Sequence, residues 1–232
     1  SAAMQEPLVL TIDLGTQSVR AILTDKAGAI LFKAQQKFEK PYYSLNPGWA
    51  EQKPEVYWDA ICGITRRLND EAQAVWGDII AVTVTTIRDT CVCVDQDGRP
   101  LRDAILWLDK RECIPVKPVP AMNMLLFSLI GMRETVELQR RISACNWIMK
   151  SEPDIWAKTH KFMMISGYLT FRMTGKLIDS VGNMIGHIPF NNKTRTWMKK
   201  NELTRCVFDI EDDKLPELVE PGEILGYITP EA

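Results

Sequence analysis

Histidine is scarce in this sequence, and neither one charge sign nor apolar residues form a long run. Only His160 and His187 occur in 232 residues, standing alone, so each reads as a structural or exposed side chain rather than a ligand. The 28 basic and 30 acidic side chains leave a formal charge of -2. That balance gives no reason to expect nucleic acid or an anionic membrane as a partner. The six cysteines show no metal-ligand spacing, and Cys91 and Cys93 alternate instead of forming a Cys-x-x-Cys pair. A disulfide framework is not expected at this size, and free thiols in a reducing, cytoplasmic setting fit better. The longest apolar stretch, residues 122–132, falls far short of the ~20 residues a membrane-spanning helix needs and is expected to be a buried helix. Repeats and low-complexity segments are lacking. The first residues have neither the basic start nor the apolar core of a signal peptide, and Ser1-Ala2-Ala3 before Met4 reads as a cloning remnant, the start of a short tail over residues 1–7.

What the sequence does contain is enough apolar residue, 46%, to build a real core, and a punctuated start. Residues 8–12 form an apolar run that ends in Asp13. The polar turn Leu14-Gly15-Thr16-Gln17-Ser18 follows, then a second apolar run, residues 19–23, leading to Asp25. Run lengths and β-branched content predict two strands joined by a tight turn. Gly15 is expected to supply backbone angles closed to other residues and to admit a ligand closely. Thr16, Gln17 and Ser18 add side-chain donors to the amides of the turn, which can cradle phosphate oxygens. Asp13, at the strand end, is placed to hold a hydrated Mg²⁺ beside them. Asp-x-Gly-Thr alone is also a common hairpin turn; the extended pattern of strand, turn, strand and a third apolar run favours the phosphate.

The third run, residues 29–38, completes an antiparallel meander. Pro54, with Glu55 in the first turn, opens a helix whose apolar positions recur at helical spacing to about residue 74. The β-branched run over residues 79–85 predicts a buried central strand. It leads into Thr86-Ile87-Arg88-Asp89-Thr90. A short strand over residues 91–94, a turn over residues 95–98 and the segment Trp107-Leu108-Asp109-Lys110-Arg111 come next. Beyond the proline-rich residues 115–120 the pattern is mainly helical. Long helices are expected over residues 134–150 and from Pro153 to Gly175, the latter bent or broken near Gly167. A helix over residues 197–206 and a strand over residues 222–228 close the sequence.

Taken in order, DLGTQSVR, NPGWAEQKPEVYWDAI, IIAVTVTTIRDT, DQDGRPLRDAILWLDKR, IWAKTHKFMMISGYLTFRMTGKLIDS and PGEILGYIT resemble the N-terminal domain of the FGGY family of carbohydrate kinases across nearly the whole chain. The resemblance implies an α/β, actin-like or ribonuclease H-like domain over residues 8–232, with a mixed five-stranded sheet flanked by helices. It implies ATP and Mg²⁺ as cofactors, a sugar or polyol as substrate, and a C-terminal ATP-binding domain as partner. By resemblance, Asp13 is the Mg²⁺-side carboxylate, and Thr16, Gln17, Ser18 and Arg20 occupy the phosphate-turn positions. Arg88 and Asp89 fall where glycerol kinases carry an Arg-Glu pair that binds substrate hydroxyls. Trp107 and Asp109 belong to the Trp-x-Asp-x-Arg segment lining the sugar site.

Chemistry supports these roles. A polyol both donates and accepts; Arg88 can only donate and Asp89 can only accept, so the pair reads both functions. The Trp107 indole can cover an apolar C–H face. An exposed Arg88-Asp89 ion pair and an Asp109–Arg111 salt bridge are the competing readings. The tyrosine that glycerol kinases place before a helix tryptophan aligns near Gln139, which argues against glycerol. The family's general base lies in the second domain, so no catalytic base is expected before Ala232, and this chain by itself is expected to be inactive and prone to form a homodimer. A non-catalytic actin-like nucleotide- or partner-binding module is the alternative.

Overall fold

A computed structural model of the protein describes residues 6–232. The expected remnant, Ser1-Ala2-Ala3, lies outside the described residues. Along the chain the elements run β1 (Leu8–Leu14), β2 (Ser18–Thr24), β3 (Ile30–Lys37), β4 (Glu51–Gln52), α1 (Pro54–Glu71), β5 (Ile79–Thr86), β6 (Cys91–Val94) and β7 (Ala104–Ile105). Then come α2 (Ala121–Leu129), α3 (Arg133–Ile142), α4 (Ala144–Ser151), α5 (Pro153–Lys158), β8 (Lys161–Met164) and α6 (Ile165–Thr174). The short strands β9 (Ile178–Ser180), β10 (Phe190–Asn191), β11 (Thr196–Trp197) and β12 (Glu217–Val219) complete the order. The chain forms two compact units. One runs up to Tyr42 and takes in Lys53–Ile87; the other comprises Tyr43–Gln52 and Arg88–Ala232.

The first unit is a mixed sheet of order β3-β2-β1-β5, with β1 antiparallel to β2 and parallel to β5. Alternation in β1 puts Leu8, Leu10, Ile12 and Leu14 in the core and Asp13 on the exposed face. Pro54 starts α1, whose apolar stripe of Tyr57, Trp58, Ile61, Ile64 and Leu68 is buried, with the helix packed on β2 and β3. This sheet has four strands in place of the expected five. The chain turns away after β5, and β6 pairs with β7 and β8 in a separate antiparallel sheet of order β4-β7-β6-β8. β5 is therefore an edge strand and not the expected buried central one, and Ile80 is 72% exposed. Its β-branched residues favour the extended backbone whether or not they are covered.

In the second unit, Trp147, Trp156, Phe162, Ile148 and Ile188 are among the side chains that pack around β6 and β8. The six cysteines are free, as expected. Burial pushes the Cys93 thiol up to about 11 and Cys145 up to about 12, so both stay protonated and inert near neutrality. The helix expected over residues 134–150 divides at Ser143, which is extended. The Ser143 hydroxyl and the Asn146 side-chain amide both donate to the Arg140 carbonyl, replacing the helical bonds that would have continued α3. The stretch from Pro153 breaks at Thr159, not at Gly167, because Lys161–Met164 pairs with β6. The same stretch does stop at Gly175, whose left-handed φ of 76° lets its N–H reach the Phe171 carbonyl.

Three further expectations change. Residues 197–206 form the end of β11 and a 3₁₀ turn, Leu203–Phe208, in place of a helix. The strand near the end is Glu217–Val219, parallel to β9, and not residues 222–228. The apolar stretch at residues 122–132 is helical, but only Phe127 of α2 is buried, against Val136 and Val207 among others. Leu129 on the same helix is 73% exposed. Apolar composition all round a helix signals burial only where neighbours cover every side, and here one stripe is covered. Among the described residues no helix is long and apolar enough to cross a membrane.

Candidate functional site

Asp13 ends the exposed face of β1, directly opposite Arg20 of β2 and beside Thr85 of β5. The Thr85 hydroxyl donates to Asp13 Oδ1 at 3.0 Å. The turn closes through Gly15 N–H donating to the Ser18 carbonyl at 2.9 Å, and the Gln17 carbonyl accepts from Phe38 N–H at 2.8 Å. Gly15 does not have the left-handed backbone expected of it. Gln17 and Arg20 are exposed, and Thr16 and Ser18 are half-buried, with Ser18 Oγ accepting from Gln35 at 3.3 Å. Among the described residues there is no cluster of three or more His, Cys, Asp or Glu side chains able to hold a metal. A lone exposed carboxylate suits Mg²⁺, which keeps most of its waters and takes one or two protein carboxylates together with phosphate oxygens.

The second unit contains a cleft of about 380 Å³ whose walls include Asp89, Leu106, Trp107, Asp109, Arg111 and His187. Three of the four residues that the sequence marks for substrate binding meet here: Asp89, Trp107 and Asp109. Arg88 is exposed at the bend before Asp89 and is not among the lining residues. Trp107 is 54% exposed and lines the cleft. Its neighbour Leu106 is buried and anchors the segment, with its N–H donating to the Ala50 carbonyl at 3.0 Å.

Asp109 serves the wall. Its Oδ1 accepts from Arg111 N–H at 2.8 Å and Arg111 Nε at 2.9 Å. Its Oδ2 accepts from Arg111 Nη2 at 2.8 Å and Ala50 N–H at 2.6 Å. A carboxylate has about four acceptor positions, and these are occupied, with the side chain only 3% exposed. The salt-bridge reading describes this geometry. Arg111 is itself held between the rings of Trp49 and Trp147, at 4.0 and 4.4 Å from their centroids. Its Nη2 lies 3.4 Å from Glu51 Oε2, while Glu51 Oε1 pairs with Arg102 at 2.6 Å. Arg102 continues to Glu152. The result is a buried chain of alternating charges whose members come from WAEQ, RPLRDAILWLDKR and the residue that precedes α5. The sequence does not single out Trp49, Glu51 or Trp147 as site residues. The signal for Trp49 and Glu51 is the motif WAEQ itself, which supports the Trp107–Arg111 segment; Trp147 comes from α4.

Asp89 is built differently. It adopts a positive φ of 50°, uncommon for a residue with a side chain. Its Oδ1 accepts from His187 N–H at 3.1 Å, and its Oδ2 lies 2.7 Å from His187 Nδ1. Both side chains remain 27% exposed. The hydrogen bond from Asp89 raises the His187 pKa above the ordinary 6.5, against the opposing effect of burial. His187, expected to be incidental, is thus a cleft residue. No sequence signal couples positions 98 apart.

Comparison with known proteins decides the lineage. The N-terminal domain signature of the FGGY family of carbohydrate kinases matches residues 8–232. The chain belongs to the FGGY family. A glycerol kinase from Thermococcus gammatolerans is 30% identical over 96% of this chain and 45% of its own length. A xylulose kinase from Escherichia coli is 27% identical over 97% of this chain and 44% of its own. Among solved structures, a xylulose kinase from Rhodospirillum rubrum superposes with a TM-score of 0.78 at 20% identity, covering 97% of this chain and 45% of that one. A gluconate kinase from Lactobacillus acidophilus gives 0.76 at 20% identity, covering 97% and 44%. The FGGY domain therefore has the actin-like α/β fold of these kinases, and the chain spans about 45% of the length of the relatives it matches.

Proposed function

We propose that this FGGY domain is the acceptor-binding half of an ATP-dependent kinase that phosphorylates a hydroxyl of a sugar or polyol. The observation that carries the reading is the cleft in which the half-exposed Trp107 indole and the Asp89 carboxylate share one cavity. An aromatic face beside a hydrogen-bonding carboxylate suits a carbohydrate, which has apolar C–H faces and polar hydroxyl edges. A module that bound only a protein partner would have no use for this pairing, and the acceptor dependence tested below separates a sugar from a nucleotide.

In this reading Asp89 accepts from acceptor hydroxyls, Trp107 covers the carbon skeleton, and Arg88 donates from the rim. Asp109 acts through Arg111 by fixing the wall. Asp13 would hold hydrated Mg²⁺, and the turn amides with Thr16, Gln17, Ser18 and Arg20 would receive phosphate oxygens of ATP. The metal would supply charge neutralisation; the chain's residues supply orientation, which is what phosphoryl transfer chiefly needs. The general base is assigned to the further domain that the relatives' extra length represents, so this chain alone should not turn over ATP. A second copy of the chain is the remaining proposed partner, checked by light scattering, and a cytoplasmic location accompanies the reading.

The test is a coupled assay with pentoses, pentitols, glycerol and gluconate, run on this chain and on a protein extended through the second domain. Acceptor-dependent ADP release by the extended protein alone is the expected result. Equal turnover by both would place the base within this chain, and no acceptor-dependent turnover by either would refute the kinase reading.

A further inference from the structure

Asp89 and His187 meet in the cleft through two backbone exceptions. Asp89 takes a left-handed backbone, and Gly186 has φ 134°. A Cβ at Gly186 would lie 2.3 Å from Asp89 Oδ1, so only glycine allows the carboxylate so close. The carboxylate then meets the His187 N–H and the ring Nδ1 at once. Such convergence fixes the ring in place, and it does so on the wall of a cavity rather than in the core.

An ionised carboxylate accepts and cannot donate, so Nδ1 carries the hydrogen in this contact. In the neutral ring that leaves Nε2 with a lone pair, and among the described residues Nε2 has no hydrogen-bond partner. The other cleft carboxylate near Trp107, Asp109, has its acceptor positions occupied by Arg111 and Ala50. Glu112, the third carboxylate of the cleft, is 54% exposed and pairs with Arg141 at 3.4 Å, so the acceptors held in fixed geometry for a bound hydroxyl are Asp89 and Nε2.

We propose that His187 is a substrate-binding residue of the acceptor cleft, the Nε2 of its neutral ring accepting a hydrogen bond from a carbohydrate hydroxyl while Asp89 orients the ring. The inference rests on the reading of this cleft as the acceptor site. It also narrows the class of acceptor. Two adjacent acceptor groups demand donors, so the part of the substrate against them carries hydroxyls, and a carboxylate placed there would be repelled.

Two substitutions separate this role from a merely structural one. Asn reproduces the Nδ1 donor of histidine and lacks Nε2; Gln reaches the Nε2 position and lacks Nδ1. The experiment records imidazole ¹⁵N and indole spectra of this chain, whose only histidines are His160 and His187, during titration with glycerol, xylitol, D-xylulose and gluconate. Expected above the His187 pKa is the Nδ1-protonated tautomer, with the Nε2 signal moving as a hydroxyl-bearing probe binds. His187→Asn should weaken that binding about tenfold, one decade being the scale of a single hydrogen bond to a ring nitrogen, and His187→Gln should weaken it less. An Nε2-protonated tautomer, or a probe that shifts the Trp107 indole while leaving His187 and the His187→Asn affinity unchanged, overturns this inference and leaves the acceptor reading standing. If no probe moves either residue, the acceptor reading itself fails and takes the inference with it.

Discussion

Asp13 and Asp109 each follow an apolar stretch, yet the regions around them are built in opposite ways. The Asp13 region is made by consecutive residues, closed by main-chain bonds, and keeps Asp13, Gln17 and Arg20 exposed. The Asp109 region is assembled from segments 59 residues apart and sinks Asp109 and Arg111 beside tryptophans, while Trp107, Lys110, Glu112 and the Asp89–His187 pair stay in reach of solvent. The difference separates two ways of holding a ligand. A turn in the proposed phosphate role would need little beyond backbone geometry, whereas a cleft in the proposed acceptor role would need rigid walls, and here the wall is held by a buried ionic chain.

The contrast predicts a steep gradient of mutational effects. Arg111→Ala should cost about 3–5 kcal/mol of stability, because Asp109 would remain buried without its charge partner and Glu51 would keep only Arg102; denaturant unfolding measures it. A loss below about 1 kcal/mol would show that the wall does not depend on the network. Gly186→Ala comes next. The added methyl collides with Asp89 Oδ1, so a loss of about 1–3 kcal/mol is expected, together with weaker acceptor binding than the change in stability alone accounts for.

The Asp89–His187 pair should give a smaller, pH-dependent contribution. The pKa of His187 is raised in the folded protein, so the folded state holds the proton more tightly than the unfolded one. Its stabilisation is fully present below the ordinary imidazole value of 6.5 and is lost as pH rises through the raised folded value. The groups around the ring are Asp89, the Cys145 thiol near the His187 carbonyl, the Phe208 ring, and Lys110, Arg111 and Glu112 along the cleft. Unfolding free energies of wild type and His187→Gln should therefore converge as pH rises, and parallel curves would contradict the pairing. The smallest effect on stability belongs to Asp13→Ala, within about 0.5 kcal/mol for an exposed side chain. Its effect should appear in catalysis instead, as a loss on the order of 10²-fold or more in Mg²⁺-dependent turnover of the two-domain protein.

The regions also differ in how far the sequence alone reveals them. The strand–turn–strand at Asp13, the helix from Pro54 and the stop at Gly175 are local events, written in consecutive residues. Trp107 and Asp109 are legible as a segment because WLDKR is contiguous. The Asp89–His187 pair is not, since it joins positions 98 apart through a left-handed Asp89 backbone that is uncommon even for aspartate. β5 and α2 mislead for a shared reason: apolar or β-branched composition reports what a segment could bury, not which neighbours arrive to bury it. The strand β8 misleads in the opposite sense, because its pairing with β6 overrides a helical pattern.

The central claim is that the cleft at Asp89 receives the acceptor and not the nucleotide. Its most direct test is steady-state kinetics of Asp89→Asn in the two-domain protein, with acceptor and ATP varied separately. The account predicts that KM for the acceptor rises at least about tenfold while KM for ATP stays within twofold, as expected when one hydrogen-bonding group of a single substrate is removed. A rise confined to ATP, or an equal rise for both substrates, would contradict it.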